Sequence, residues 1–313
     1  MSILVTVPTE ELAAAIGPVP GDVDLRVWPM DGPPPGAAEG GADIAIAVPP
    51  YMSLGPALSV LRGLPDVRIG LLQGQAIGYE GIADRLPAGS VFANAATVHE
   101  TSTAELALAL TLAAQRGIPG FVRDQDRHAW TTAFHPSLAD RRVLLLGYGG
   151  VGKAIAARLL PFEVDLVPVA SHARDEDGVH VHGIDELTEL LPTAEIAVLA
   201  LPGGDGTRHV MDAAALALLP DGALVVNVGR GTLVDTDALV AEVASGRLRA
   251  ALDVVDPEPL PADHPLWDLE GALIAPHVGG ASTAMLPRMA ALVRRQIDHV
   301  RAGEEPENIV IRT

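Results

Sequence analysis

Three short stretches carry side chains suited to proton transfer on a carbonyl, and each follows an apolar run: "NVGRGTLVDTDAL", "LDVVDPEPL" and "APHVGG". The first supplies Arg230, the second Asp253, Asp256 and Glu258, and the third His277. A guanidinium can hold a carboxylate through two parallel hydrogen bonds. An imidazole backed by a carboxylate is favoured in its protonated form and can give that proton to a reacting oxygen. Arg230 alone could equally be an exposed loop residue. One arginine, one acid and one histidine on a single rim point instead to reduction of a carbonyl in an anionic substrate.

A second constellation precedes them. Gly147-Tyr148-Gly149-Gly150-Val151-Gly152 fits Gly-x-Gly-x-x-Gly between an apolar strand, "RVLLLG", and a helical stretch. The first glycine permits the tight turn, the second a close approach to pyrophosphate, and the third close packing of helix on strand. The helix N-terminus adds free N–H groups and a partial positive charge. Units of this kind place an acid about 18 residues on, where it binds the ribose hydroxyls of NAD. That position is Ala170, followed by Ser171, His172 and Arg174. Nothing there repels a phosphate and three groups suit one, so NADP is expected over NAD, with NAD still admitted.

These residues need elements to hold them. From Arg141 the runs "RVLLLG", "VDLVPVA", "EIAVLALP", "GALVVNVG", "LRAALDVV" and "GALIAPH" alternate with helical patterns. Continuous apolar strands of this type predict a parallel sheet covered on both faces. Pro168 moves the second strand towards an edge. A helix is expected from Thr236 or Asp237 to Gly246. The first hundred residues repeat the alternation more weakly ("ILVTV", "DLRVW", "DIAIAV", "VRIGLL", "SVFANA"), with a turn-rich "MDGPPPGAAEGG". Next, "TSTAELALALTLAAQRG" reads as a long helix, with Glu105 in its first turn and Gly117 at its end, hinging two α/β lobes with a cleft between them.

Composition narrows the partners. With 313 residues and 49% hydrophobic content the chain has room for two globular cores. A net charge of −19 weighs against nucleic acid, although a local arginine can still attract a small anion. No apolar run approaches the roughly 18 residues of a membrane span. The start, "MSILVTVPTE", reads as a first strand and not as a signal peptide. The absence of cysteine excludes disulfides and a thiol nucleophile, and a cytoplasmic location is expected.

Taken together, "GYGGVG", "NVGRGTLVDTDALV", "LDVVDPEPLPADHPLW" and "APHVGG" resemble the D-isomer-specific 2-hydroxyacid dehydrogenases, and "LLQGQAIGYEGI" and "NAATVHETSTAELALAL" extend the likeness over most of the chain. The resemblance implies two Rossmann-like lobes. Residues 98–284 would form a doubly wound dinucleotide-binding sheet, and 1–97 with 285–313 a flavodoxin-like substrate lobe to which a helix from about Ala284 returns. It implies Arg230, Glu258 and His277 as the catalytic residues. The expected cofactor contacts are Gly147, Gly149, Gly150, Val151, Gly152, Ser171, His172, Arg174, Leu201, Pro202, Thr207, Val228, Gly229, Gly279 and Gly280, with Asp253 on the nicotinamide carboxamide. Tyr51, Met52, Ile77, Gly78 and Arg230 are the expected substrate contacts. The family's carboxylate-holding loop commonly reads Ser-Ala-Gly; here Ala76-Ile77-Gly78 keeps the backbone donors and changes the pocket lining. Formate dehydrogenases carry glutamine where Glu258 stands, which argues against that activity. The implied reaction is hydride transfer between NAD(P)H and a small 2-keto or 2-hydroxy acid, by a homodimer in which "RGIPGFVRDQDRHAW" is a contact.

Other residues take plainer readings. His180 and His182 share one face of a short strand but lack a third ligand, so no metal is expected. His99, His128, His135 and His209 show no partner in the sequence and read as ordinary histidines, and Trp267 as a packing anchor. The rival function is a non-catalytic dinucleotide sensor or corepressor-like scaffold, against which the intact trio weighs.

Overall fold

The computed structural model describes residues 2–35, 42–64 and 66–313. The last residues of the turn-rich stretch, 36–41, lie outside the described residues. Two compact units emerge: Met1–His99 with Ser282–Thr313, and Glu100–Ala281.

The first unit begins with β1 (Ile3–Val7), α1 (Glu10–Ile16), β2 (Val23–Val27), β3 (Ala42–Ala47), α2 (Leu54–Arg62), β4 (Val67–Gln73) and β5 (Val91–Ala93). Local chemistry sets the bounds of α1. The Thr9 hydroxyl accepts from the Leu12 amide, Glu10 and Glu11 face the positive helix end, and Gly17 at φ 72° stops it.

The second unit contains α3 (Glu100–Gln115), α4 (Ile118–Asp126), β6 (Arg142–Leu146), α5 (Gly150–Leu159), β7 (Asp165–Ala170), β8 (Arg174–Glu176) and β9 (Val179–Gly183). It continues with α6 (Leu187–Leu190), β10 (Ile196–Leu199), α7 (Ala213–Leu218), β11 (Leu224–Asn227), α8 (Thr236–Ala244), β12 (Arg249–Leu252) and β13 (Ala272–Ile274). Its eight strands run in the order β13-β12-β11-β10-β6-β7-β9-β8, parallel except for the β8–β9 hairpin. Successive strands leave β6 in opposite directions, so a topological switch point falls between β6 and β10. Val143, Leu145, Ile196, Val198, Leu224 and Val226 are buried in one apolar cluster with α3 and α5; Leu144, Leu146, Ala197, Leu199 and Val225 are buried in another. Burial on both faces is why these strands read as unbroken apolar runs.

Three expectations need correction here. Pro168 does not set β7 at an edge, since β7 lies between β6 and β9. The Val169 carbonyl faces β6, where it accepts from the Gly147 amide, so by alternation the Pro168 nitrogen faces the other way. On that side β9 pairs only with Val169 and Ala170, and the missing N–H costs no ladder bond. The long helix α3 starts at Glu100, which puts Glu105 beyond its first turn. Trp267 is half exposed, with its indole N–H on the Pro261 carbonyl, and the buried anchor there is its neighbour Leu266.

The chain ends with α9 (Met285–Ala302) and β14 (Ile309–Arg312), both in the first unit. The six-stranded sheet there has the order β14-β5-β4-β3-β1-β2, with β14 antiparallel, which is a flavodoxin-like 2-1-3-4-5 core plus one strand. Met289, Leu292, Val293 and Ile297 of α9 pack with Val5, Val7 and Ile46. A buried amide pair fixes the helix in depth: Gln296 Nε2 donates to Gln73 Oε1 (2.7 Å) and to the Glu307 carbonyl (2.9 Å). Gln73 in turn donates to the Gly74 and Asn94 carbonyls.

Candidate active site

The site residues expected in the second unit gather beyond the carboxyl ends of its strands: the glycine turn after β6, Ser171, His172 and Arg174 after β7, Leu201, Pro202 and Thr207 after β10. Val228, Gly229 and Arg230 follow β11, Asp253 and Glu258 follow β12, and His277, Gly279 and Gly280 follow β13. That edge is where open parallel sheets bind ligands.

The His277 loop is built around Asp253, which is 2% exposed. Its two carboxylate oxygens accept from the Val278 amide (2.7 Å) and the Gly279 amide (2.9 Å), while its carbonyl accepts from the His277 amide (2.8 Å). Burial raises the Asp253 carboxyl above its ordinary range, and the two amide bonds and nearby His277 oppose that rise. His277 itself adopts φ 52°, a left-handed conformation uncommon outside glycine. That turn presents the imidazole to the Glu258 carboxylate, which bonds Nδ1. Both side chains stay partly exposed, with Nε2 directed away from Glu258.

Arg230 sits on a loop that the sequence reading described incompletely. Asn227, 1% exposed at the end of β11, donates from Nδ2 to the Arg230 carbonyl (2.8 Å) and accepts at Oδ1 from the Gly229 amide (3.1 Å). The Arg230 guanidinium donates to the Gly229 carbonyl (2.8 Å). A Cβ on Gly231 would stand 1.8 Å from the Val255 carbonyl oxygen, so the arginine loop and the loop bearing Glu258 touch through backbone. A polar residue closing an otherwise apolar strand, "LVVN", was the available sign of Asn227.

The glycine turn fits a dinucleotide. Gly147 (φ 106°) would place a Cβ 2.7 Å from the Ala200 carbonyl, and Gly152 would place one 1.9 Å from the Gly147 oxygen. Packing within the protein demands both glycines. Gly149 differs, since a Cβ there would meet nothing within 4 Å, which leaves the first turn of α5 open to a ligand. Thr207 steadies the neighbouring loop through its hydroxyl on the Pro202 carbonyl (2.8 Å). Ser171, His172 and Arg174 are exposed beyond Ala170, which is buried. Arg174 donates from Nε and Nη2 to Glu176. The hairpin holding Glu176 was not anticipated, although Asp177-Gly178, both at positive φ, is the dipeptide that favours such a turn.

The other residues expected to contact substrate lie in the first unit. The Gln75 carbonyl meets His99 Nε2 (2.6 Å), the Ala76 carbonyl accepts from the Ala95 amide (2.8 Å), and the Ile77 carbonyl accepts from Asn94 Nδ2 (2.8 Å). In a trans peptide the following N–H points opposite to the carbonyl. The amides of Ala76, Ile77 and Gly78 are therefore turned away from the body of the unit, as a row of donors suited to a carboxylate. His99 is not an ordinary histidine. It is 4% exposed, braces this loop, and stacks on Tyr51 with ring centroids 5.7 Å apart; Met52 beside Tyr51 is exposed. His180 and His182 meet edge to face and bond Asp175 and Glu186, and among the described residues no cluster of three or more side chains suits a metal. No described helix is long and apolar enough to cross a membrane.

Comparison with known proteins gives consistent results. Residues 108–279 match the model of the D-isomer specific 2-hydroxyacid dehydrogenase, NAD binding domain. A glyoxylate reductase of Korarchaeum cryptofilum is 31% identical over 262 residues, covering 80% of this chain and 78% of the relative. A D-3-phosphoglycerate dehydrogenase of Mycobacterium bovis is 31% identical over 252 residues, 78% of this chain but 47% of that longer protein. Among solved structures, a D-isomer specific 2-hydroxyacid dehydrogenase from Xanthobacter autotrophicus Py2 in complex with NADPH and MES superposes with a TM-score of 0.78 at 27% identity, covering 99% of this chain and 98% of that one.

The contact at Gly231 yields a test of the site. Gly231→Ala is expected to retain secondary structure by circular dichroism yet lower turnover at least about tenfold, because the new methyl forces the Arg230 and Glu258 loops apart. Wild-type turnover in this variant would show that the loop contact does not set the geometry.

Proposed function

The chain belongs to the D-isomer specific 2-hydroxyacid dehydrogenase family, and from that premise we propose that it is an NAD(P)-dependent oxidoreductase of a small 2-keto or 2-hydroxy acid in which Arg230, Glu258 and His277 are the catalytic residues. The observation that carries this reading is the Glu258–His277 pair, mounted by Asp253 on the sheet edge that also holds Arg230 and the glycine turn.

When bound, NAD(P)H would supply the hydride that reaches the carbonyl carbon in the reducing direction. Arg230 binds the substrate carboxylate and polarises the keto oxygen. His277, held through Nδ1 by Glu258, gives the proton on Nε2 to that oxygen and is left neutral; in the oxidising direction the same nitrogen takes the proton back. Glu258 orients the ring and stabilises its charged form. Asp253 fixes the loop that carries His277 and keeps lone pairs for the nicotinamide carboxamide. The outward amides of Ala76, Ile77 and Gly78 are assigned to a substrate carboxylate, and Tyr51 and Met52 to its side chain. Residues 1–97 with 285–313 are thus read as the substrate lobe and 98–284 as the dinucleotide lobe.

Cofactor contacts are assigned to Gly147, Gly149, Gly150, Val151, Gly152, Leu201, Pro202, Thr207, Val228, Gly229, Gly279 and Gly280, with Ser171, His172 and Arg174 facing the adenosine ribose. Ala170 offers no acid to the ribose, so NADPH is preferred and NADH is admitted. The presence of NADPH in the Xanthobacter structure agrees with this choice. We also infer a homodimer and a cytoplasmic location. Support for the dimer comes from α4 and the segment after it, where Ile118, Phe121, Val122, Trp130 and Phe134 are exposed apolar side chains within one short stretch.

His277→Asn is expected to cut kcat by about 100-fold to 10,000-fold while leaving NADPH binding, read by nicotinamide fluorescence, nearly intact; near wild-type kcat would remove His277 from the mechanism. Arg230→Ala should raise KM for the keto acid and lower kcat together, and an unchanged KM would reject its carboxylate contact.

For the cofactor, kcat/KM should favour NADPH in the wild type, Arg174→Ala should penalise NADPH selectively, and Ala170→Asp should tilt the ratio towards NADH. A wild type that favours NADH, with a ratio neither substitution moves, would refute the assignment.

Light scattering at low micromolar concentration should give a mass near twice 32.4 kDa, and Phe121→Asp with Val122→Asp should reduce it to the monomer. A monomeric wild type would end the dimer proposal.

A further inference from the structure

Two cations from separate elements meet at one carboxylate beside the glycine turn. Lys153, in the first turns of α5, bonds Glu176 Oε1 through its ammonium. Arg174, at the start of β8, donates from Nε (3.0 Å) and Nη2 (2.9 Å) to Glu176 Oε2. The same Nη2 lies 3.4 Å from the Tyr148 carbonyl, and the Lys153 ammonium lies 6.0 Å from the centre of the Tyr148 ring. Tyr148 stands between the first two glycines of the turn, so the cluster adjoins the position of the adenosine ribose. Lys153 and Arg174 hold the Glu176 carboxyl below its ordinary range. The β8–β9 hairpin that carries Glu176 joins the sheet next to β7, whose last residue is the buried Ala170.

We propose that Glu176 is a specificity-determining residue whose carboxylate occupies, between Lys153 and Arg174, the place that the 2′-phosphate of NADP takes. Binding of NADPH exchanges one anion for another: Glu176 swings out and the two cations pass to the phosphate. NADH brings no 2′-phosphate, so the ion-pair cluster stays closed and the dinucleotide still binds. Phosphate carries about −1.5 to −2 charges and three acceptor oxygens, against one charge on the carboxylate, which favours the exchange. The cost of displacing Glu176 nevertheless blunts the preference. Lys153 becomes a second phosphate ligand, and Glu176 the reason that discrimination is incomplete. This inference rests on the reading of the Arg174 region as an NADP site.

The test separates the two ideas. Calorimetric titration of the full chain with 2′,5′-ADP and with 5′-AMP isolates the phosphate contribution without catalysis. Glu176→Gln and Glu176→Ala should each raise the affinity ratio of 2′,5′-ADP to 5′-AMP by about tenfold at low salt, with less effect at high salt. Lys153→Met should lower the same ratio by about fivefold to tenfold. Thermal melts of the variants check that each remains folded, as expected for charged side chains that belong to neither apolar cluster. An unchanged or lower ratio in both Glu176 variants overturns the proposal. A wild-type ratio near one that Arg174→Ala does not move overturns the NADP reading instead.

Discussion

Contact between the backbones of neighbouring βα loops governs this active-site edge. Adjacent parallel strands lie about 4.8 Å apart, so the chains leaving them have no room for side chains where they turn towards one another. The methyl group of an alanine at Gly147 would fall 2.7 Å from the Ala200 carbonyl, and one at Gly231 would fall 1.8 Å from the Val255 oxygen. The turn after β6 and the pairing of the loops after β11 and β12 therefore exist only because glycine stands there. With the backbones in contact, few groups are needed to fix the rest. Asn227 closes the arginine loop on itself, and Asp253 ties the end of β12 to the loop after β13. Reactive side chains from different strands are thus positioned by bonds that are themselves buried, while their own tips reach solvent.

On the assignments proposed above, the two units would recognise anions by different routes. In the second, charged side chains and a helix terminus supply the positive potential. In the first, the orientation of peptide planes supplies it. His99, Asn94 and the Ala95 amide draw successive carbonyls inward, and planarity of the trans peptide turns the intervening N–H groups outward. Such a donor row needs no cation, so it adds no charge that a desolvated substrate would have to neutralise. It also tolerates exchange of Ser-Ala for Ala-Ile in the loop, because the donors belong to the backbone.

Much of this was legible in the sequence, for identifiable reasons. Strands β6, β7 and β10–β12 are buried on both faces and so read as continuous apolar runs, and the glycine pattern sits where strand and helix constrain it. What escaped depended on contacts distant in sequence. Pro168 looked like an edge residue because the sequence does not show that β9 pairs only with the end of β7. His99 has its partners at Gln75 and Tyr51, far from it along the chain. Strand β8, "RDE", has no alternation to display; it is a strand because the Asp177-Gly178 turn folds it back on β9. Trp267 was judged by its size, whereas Leu266 next to it took the buried position.

The β8–β9 hairpin pairs with the rest of the sheet through Val169 and Ala170, and among the described residues its outer strand has no further strand partner. Its charged residues consequently contribute little to either apolar cluster of the unit, whose members lie mostly on the central strands and helices. Substitutions of these charged side chains are therefore expected to cost the fold little, whereas substitutions at the buried Val181 of the same hairpin, or at Gly147, Asn227 or Asp253, are not. On the proposed cofactor assignment, mutation can explore the adenosine end of the site widely while the nicotinamide end stays fixed, so dinucleotide preference can reverse without disturbing the groups assigned to hydride and proton transfer.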